Sequence, residues 1–291
     1  MTKLIIDSGC DQNETMQASY DYEVVPLSIT IEGKSYLDGE EIELDTVYDY
    51  MRQGIVPKTS QISAESMIKT LDRSVAEKED VIYLALSSAL SGTYSLGFQI
   101  METYKEKHPE LKFTAVDSKG GAGGAAIIAL KMLQMIEEGY GYEEIVDFAK
   151  WGADHVKYHF TLSNLEWLVK GGRLPKVASQ VGTALNIRPY LKLEEGSITV
   201  QKLIRGEKRV FKRILKDVQN GVGEFTQQTI GISHADDEEL AKTISEQIKE
   251  VLPDIKIELF QIGAVLGPHV GIGGVGVFYY NEKPQHYQSV E

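Results

Sequence analysis

Two hydrophobic periods alternate along the first half of the chain, and the switching between them predicts a strand–helix–strand rhythm. Residues 3–7 are a short apolar run closed by Ser8-Gly9, as in a strand buried on both faces. A β-branched run over 23–31 turns at Glu32-Gly33 into 34–37. Residues 44–53 set Leu44, Val47, Tyr48 and Met51 at helical spacing. A further helix is expected over 63–75, with Ser63 as its N-cap and Glu65 in its first turn. Strands over 80–86 and 113–116 then alternate with helices over 92–107, 122–138 and 142–153. This rhythm predicts an α/β fold with a mainly parallel sheet and helices on both faces. Ligands of such sheets sit outside the carboxyl ends of the strands. Expected strand ends carry hydroxyls at Ser8, at Ser87 through Ser91, and at Ser118, which places a candidate site there.

The second half changes pattern. A short helix over 165–169 stops at Gly171-Gly172, and 188–193 with 197–204 read as a hairpin turned at Glu195-Gly196. Helices over 207–218 and 238–251 accompany strands over 229–233, 256–261 and 275–280. The expectation is a second α/β domain with a smaller mixed sheet and helices. A boundary near residue 160 gives domains 1–160 and 161–291, and no repeat or low-complexity linker is visible.

Composition narrows the function classes. A chain of 291 residues has room for two cores, and 42% hydrophobic with 25% charged residues is ordinary for a globular protein. The formal net charge of −13 argues against nucleic acid as a partner, because neutralising phosphates needs a basic face. The single Cys10 excludes an intramolecular disulfide and a Cys-rich metal site, and fits a cytoplasmic setting. Met1-Thr2-Lys3 runs straight into Leu4-Ile5-Ile6, so no secretory leader is expected. The longest apolar stretch, 123–136, is interrupted by Lys131 and Gln134 and is too short and polar to span a bilayer.

Candidate chemistry lies in three segments. Thr59 and Ser60 precede an expected helix, and Ser91-Gly92-Thr93 follows a strand and opens another. Their hydroxyls and free amides suit a carboxylate or phosphate, and plain helix capping is the competing reading. His269, in Gly267-Pro268-His269-Val270-Gly271, can donate to an anionic oxygen. The glycines over 271–276 lack the Lys-Ser/Thr of a phosphate loop and precede a strand, which rejects a dinucleotide fingerprint. Gly231-Ile232-Ser233-His234-Ala235 is a near miss to a nucleophile elbow, with His269 and His286 later in the chain. It keeps open a serine hydrolase acting on a lipid ester or thioester, with Ser233 or Ser91 as nucleophile and His269 as base. No His, Asp and Glu cluster has metal-ligand spacing. Lys202, Arg205, Lys208, Arg209, Lys212, Arg213 and Lys216 form a basic block in an acidic chain, which Arg173 can join in space. It reads either as a solvated helix face or as a docking surface for an acidic or phosphate-bearing partner.

Asp7-Ser8-Gly9, Thr59-Ser60-Gln61, Leu90-Ser91-Gly92-Thr93-Tyr94, Asp117-Ser118, Gly171-Gly172-Arg173 and Gly267-Pro268-His269-Val270-Gly271 resemble, in this order, motifs of the DegV family. That family includes the FakB fatty-acid-binding subunits of bacterial fatty acid kinases, and the resemblance runs over residues 3–280. It implies two α/β domains enclosing a long-chain fatty acid as the ligand, with no cofactor. It also implies a carboxylate held by Thr59, Ser91 and His269, with Ser60, Gly92, Thr93 and Ser118 in supporting loops. The chain is then not catalytic alone. It presents the acyl carboxylate to a separate ATP-dependent kinase subunit for acyl-phosphate formation, with Arg173 and Arg205 at the docking surface. Partners are thus the fatty acid, the kinase subunit and, transiently, a membrane surface. The sequence departs from the family pattern at Ile62, where the family often has Pro, and at Gly9-Cys10, where Thr or Ser usually follows Asp-Ser.

Overall fold

The structure is a computed structural model that describes residues 1–174 and 187–284. In chain order its elements are β1 (Thr2–Asp7), α1 (Glu14–Ser19), β2 (Glu23–Val25), β3 (Leu27–Ile31), β4 (Lys34–Leu37), α2 (Leu44–Arg52), β5 (Lys58–Ile62), α3 (Ala64–Glu77), β6 (Asp80–Ala85), α4 (Thr93–Lys107), β7 (Phe113–Asp117), α5 (Ala122–Glu137) and α6 (Tyr142–His155). There follow β8 (Val156–Thr161), α7 (Glu166–Lys170), β9 (Ile187–Glu194), β10 (Ser197–Arg205), α8 (Glu207–Val222), β11 (Thr229–His234), α9 (Glu238–Val251), β12 (Lys256–Gln261), α10 (Gly267–Val270) and β13 (Val275–Tyr280).

The expected α/β class is found. A four-stranded parallel sheet has the order β2-β1-β6-β7, and a mixed sheet the order β10-β9-β8-β13-β11-β12. The mixed sheet, expected to be the smaller, has six strands and is the larger. Its strand β8 had no counterpart in the hydrophobic pattern, and the division expected near residue 160 falls inside it.

Helix α5 lies between the two sheets. It is mostly apolar and largely buried, which suits a helix covered by both sheets. Its Ala125, Ile128 and Met132 share one core with Leu4, Ile6 and Leu84 of the parallel sheet and with Phe260 and Phe278 of the mixed sheet. One apolar core thus ties the two sheets together.

The run expected over 23–31 is two strands in two sheets. β2 lies parallel to β1, whereas β3 starts a small antiparallel sheet of order β4-β3-β5. Pro26 sits at the break, where it has no N–H for either ladder. Its carbonyl instead accepts from Ser63 N, and the Leu27 N–H donates to Ser8 Oγ at 3.0 Å. The Thr59 segment, read as a loop before a helix, is strand β5, with Thr59 opposite Ile29.

Candidate functional site

The carboxyl end of β6, strands β5, β8 and β13 and the segment after β12 meet around one cavity. Leu27, Leu86, Phe160, Leu168, Leu193, Ile198, Val265, Leu266 and Phe278 are among its apolar walls. The polar residues Thr59, Ser60, Ser91, Tyr158, Arg173 and His269 also line it. The empty space is about 860 Å³ counted out to the open mouth.

The polar groups are positioned one by one. Thr59 Oγ1 lies 2.7 Å from His269 Nε2. His269 sits in the one-turn helix α10, which begins with Gly267-Pro268, and is buried. Its other ring nitrogen, Nδ1, is buried, has no hydrogen-bond partner among the described residues and faces Gly171, the residue that ends α7. Burial, and after it the charge of Arg173, pushes the imidazole pKa down to about 4, so the ring is neutral near pH 7. Arg173 is fixed by its own backbone contacts: Nε donates to Leu90 O at 3.0 Å and Nη1 to Gly171 O at 2.7 Å. It therefore ties the end of α7 to the Ser91 loop beside His269.

Ser91 is the half-buried hydroxyl of its loop that lines the cavity. Its Oγ is hydrogen-bonded to Thr93 Oγ1 at 2.9 Å and accepts from Thr93 N at 3.2 Å. Thr93 Oγ1 also accepts from Ile62 N at 3.3 Å, joining the start of α4 to the end of β5. Proline at position 62 would have no N–H to give, so the departure at Ile62 supplies a bond that a proline could not. Gly92 leaves room for Gln61: a Cβ there would stand 2.4 Å from its Oε1.

The other strand-end hydroxyls do not converge on the cavity. Ser8 serves Leu27 N, and Ser118 Oγ donates to Gly120 O at 3.0 Å, shaping the turn before Gly121, which does line the cavity. Ser87 Oγ donates to Gly196 O at 3.0 Å, at the tip of the β9–β10 hairpin. That tip turns with positive φ at Glu195 and Gly196, as its sequence predicts. Arg205 is exposed at the end of β10 and is not part of the cavity lining. Arg173, singled out from the sequence for docking, lines the cavity beside His269. Tyr158, which the sequence reading missed, also contributes to the wall.

Wiring for a serine nucleophile is not present among the described residues. Ser233 Oγ donates to Asp11 Oδ2 at 2.7 Å and accepts from Gly123 N at 3.0 Å, and the neighbouring His234 turns its Nδ1 to Asp237 N instead. His269 bonds Thr59 rather than Ser91 or Ser233, and His286 lies outside the described residues. Asp11 is buried, which pushes its carboxyl up to about 7 against the pull of its donors. Among the described residues no group of His, Cys, Asp and Glu is arranged to hold a metal ion, and no helix is long and apolar enough to cross a membrane.

The family model for uncharacterised proteins of the DegV family matches residues 1–282. The chain belongs to the DegV family. A DegV domain-containing protein of Clostridium perfringens is 30% identical over 290 residues, covering 98% of this chain and all of the relative. A DegV family protein from Thermus thermophilus, described for fatty acid binding, is 28% identical with a TM-score of 0.82, covering 96% of this chain and 99% of that one. The fatty acid kinase B3 protein of Streptococcus pneumoniae, solved with linoleic acid, has a TM-score of 0.85 at 24% identity, covering 97% of this chain and all of that one, and shows the shared fold.

Proposed function

We propose that this DegV protein holds a long-chain fatty acid in the cavity and presents its carboxylate to a separate ATP-dependent kinase subunit. The observation that carries this reading is the composition of the cavity. Its walls are mostly apolar, and Thr59, Ser91, Arg173 and a neutral His269 add polar groups. An amphiphile with an anionic head and an apolar tail matches both parts. Hydroxyl donors and a guanidinium offset the cost of taking a carboxylate out of water. A tail of about sixteen carbons, at about 0.8 kcal/mol per buried methylene, contributes on the order of 10 kcal/mol before ordering costs. The tail therefore dominates affinity, and the head group sets orientation.

The fatty acid named for the Thermus relative and the kinase named for the Streptococcus neighbour support the reading. In the proposed reaction an acyl carboxylate oxygen attacks the γ-phosphorus of ATP on the kinase, giving acyl phosphate and ADP. This chain supplies the held carboxylate and no nucleophile of its own. Arg205 and the exposed cations of α8 are the proposed docking surface, in a cytoplasmic setting where ATP is available.

Mass spectrometry of ligand extracted from purified protein, followed by titration of delipidated protein with fatty acids, tests the reading. Co-purified long-chain fatty acid and micromolar or tighter rebinding are expected. Absence of both overturns it. Covalent labelling by a fluorophosphonate probe would instead favour the hydrolase.

A further inference from the structure

The buried Asp11–Ser233 pair takes no part in the cavity lining, yet it bears on the segment that carries His269. Asp11 Oδ1 accepts from Gly263 N at 3.0 Å, and Oδ2 accepts from Ser233 Oγ at 2.7 Å. Ser233 in turn accepts from Gly123 N in the first turn of α5. One carboxylate thus joins the loop after β1, the end of β11, the start of α5 and the exit of β12. Gly263 begins the stretch that supplies Val265, Leu266 and His269 to the cavity. The residue before it is pinned as well: Tyr48 Oη donates to Ile262 O at 2.8 Å, and Ile262 N donates to His234 O at 2.8 Å. From Gly263 the chain closes turn by turn onto His269, through Gly267 N to Gly263 O at 2.9 Å and His269 N to Leu266 O at 3.0 Å.

We infer that Asp11 is a positioning residue for head-group recognition, holding the His269 segment in register with Thr59 through its paired bonds to Gly263 and Ser233. The inference rests on the fatty-acid reading above. It also accounts for the serine of the elbow-like segment, whose hydroxyl is an acceptor for Gly123 and a donor to Asp11. Aspartate suits the position because each carboxylate oxygen accepts one of two convergent donors. Asparagine has the same shape but a single acceptor oxygen, so one donor loses its partner.

The test compares a long-chain fatty acid with its methyl ester, titrated into delipidated wild type, Asp11→Asn, Ser233→Ala and His269→Ala at pH 8. The ester keeps the tail and removes the anionic head, so the ratio of ester to acid Kd reads head-group recognition alone. In Asp11→Asn the ratio should fall about 5- to 10-fold, the scale of one lost hydrogen bond, while the ester Kd stays within twofold of wild type. Ser233→Ala should move the ratio in the same direction. Asp11→Asn added to His269→Ala should leave the ratio of the single His269→Ala variant unchanged, because both act through one group. A purely structural role would raise both Kd values by the same factor, and that result overturns the inference, as does an unchanged ratio in both Asp11→Asn and Ser233→Ala. A wild type that binds neither ligand overturns the fatty-acid reading itself and the inference with it.

Discussion

Replacing Gly171 by alanine tests the placement of His269 by sterics alone. Gly171 has φ −75° and ψ −8°, a right-handed conformation that alanine adopts without strain. An added Cβ would stand 2.0 Å from His269 Nδ1, 2.8 Å from Cε1 and 3.2 Å from Cγ. The nitrogen is nearest and its two ring neighbours are well behind, so the approach is edge-on. Comfortable non-bonded contact needs about 3.5 Å, and the ring must retreat by roughly 1.5 Å. Thr59 Oγ1, already 2.7 Å from Nε2, blocks a straight retreat. The ring must rotate and give up that bond. Losing this arrangement should weaken binding of a buried carboxylate by about 1–3 kcal/mol, roughly 5- to 150-fold in Kd. Overpacking adds a stability cost of about 1–3 kcal/mol in free and bound protein alike. Isothermal titration of the delipidated variant with a fatty acid, beside thermal melts, separates the two effects. Gly172→Ala is the control: its φ of +73° strains an alanine, but no atom of the described residues lies within 4 Å of the added Cβ. It should lower Tm and keep affinity. Binding by Gly171→Ala within twofold of wild type, or an equal loss in Gly172→Ala, would refute the placement of His269 at the head group.

Thr59→Ala and Ser91→Ala should each weaken retention of fatty acid by about 1–3 kcal/mol in competition titrations, and wild-type affinity in both would remove them from the head-group site. Arg205→Ala should bind fatty acid normally but slow acyl-phosphate formation in a coupled assay with the kinase. Added salt should slow wild type more than the variant, because exposed charges are screened over about 8–10 Å, and equal turnover across salt concentrations would end the docking idea. Burial pushes the Asp7 carboxyl up to about 6 from 3.8, against pulls from Leu86 N, Tyr83 Oη and Gly9 N. Because the folded value is the higher, its proton-linked stability is fully present below the unfolded value and is lost as pH rises through about 6. In urea unfolding from pH 4 to 8, the stability of wild type relative to Asp7→Asn should therefore fall by about 2–3 kcal/mol with rising pH, and a flat difference would contradict the buried-carboxyl account.

Local patterns disclosed most of the elements because their causes are local. The helix expected over 238–251 is α9, and the Ser63 cap accepts from Ser66 N as such caps do. What escaped depended on partners distant in sequence. β8 carries polar residues such as Lys157 and His159 because His159 is satisfied by Tyr190 and Tyr279, which lie on β9 and β13. No window around residue 158 contains those partners. The split at Pro26 was written in the sequence, but the destination of each half was decided by β1 and β5. At the candidate site the Thr59–His269 contact spans most of the chain, and ordered motifs pointed to it where periodicity could not. Arg173 was legible as a cation after Gly-Gly, but its place beside His269 follows from carbonyls of Leu90 and Gly171 that only folding brings together.

The hairpin tip that receives the Ser87 hydroxyl has a kinetic meaning. Leu193 and Ile198, on the two strands of that hairpin, form part of the cavity wall, and Gly196 at its tip is bonded to the segment that goes on to Ser91. Any motion that swings this wall aside must first break the Ser87–Gly196 bond, while Arg173 still holds Leu90 in the loop that carries Ser91. For the proposed fatty acid, the wall against the tail then yields before the loop beside the head. A lipid leaving by that route departs in two steps, tail first and head second.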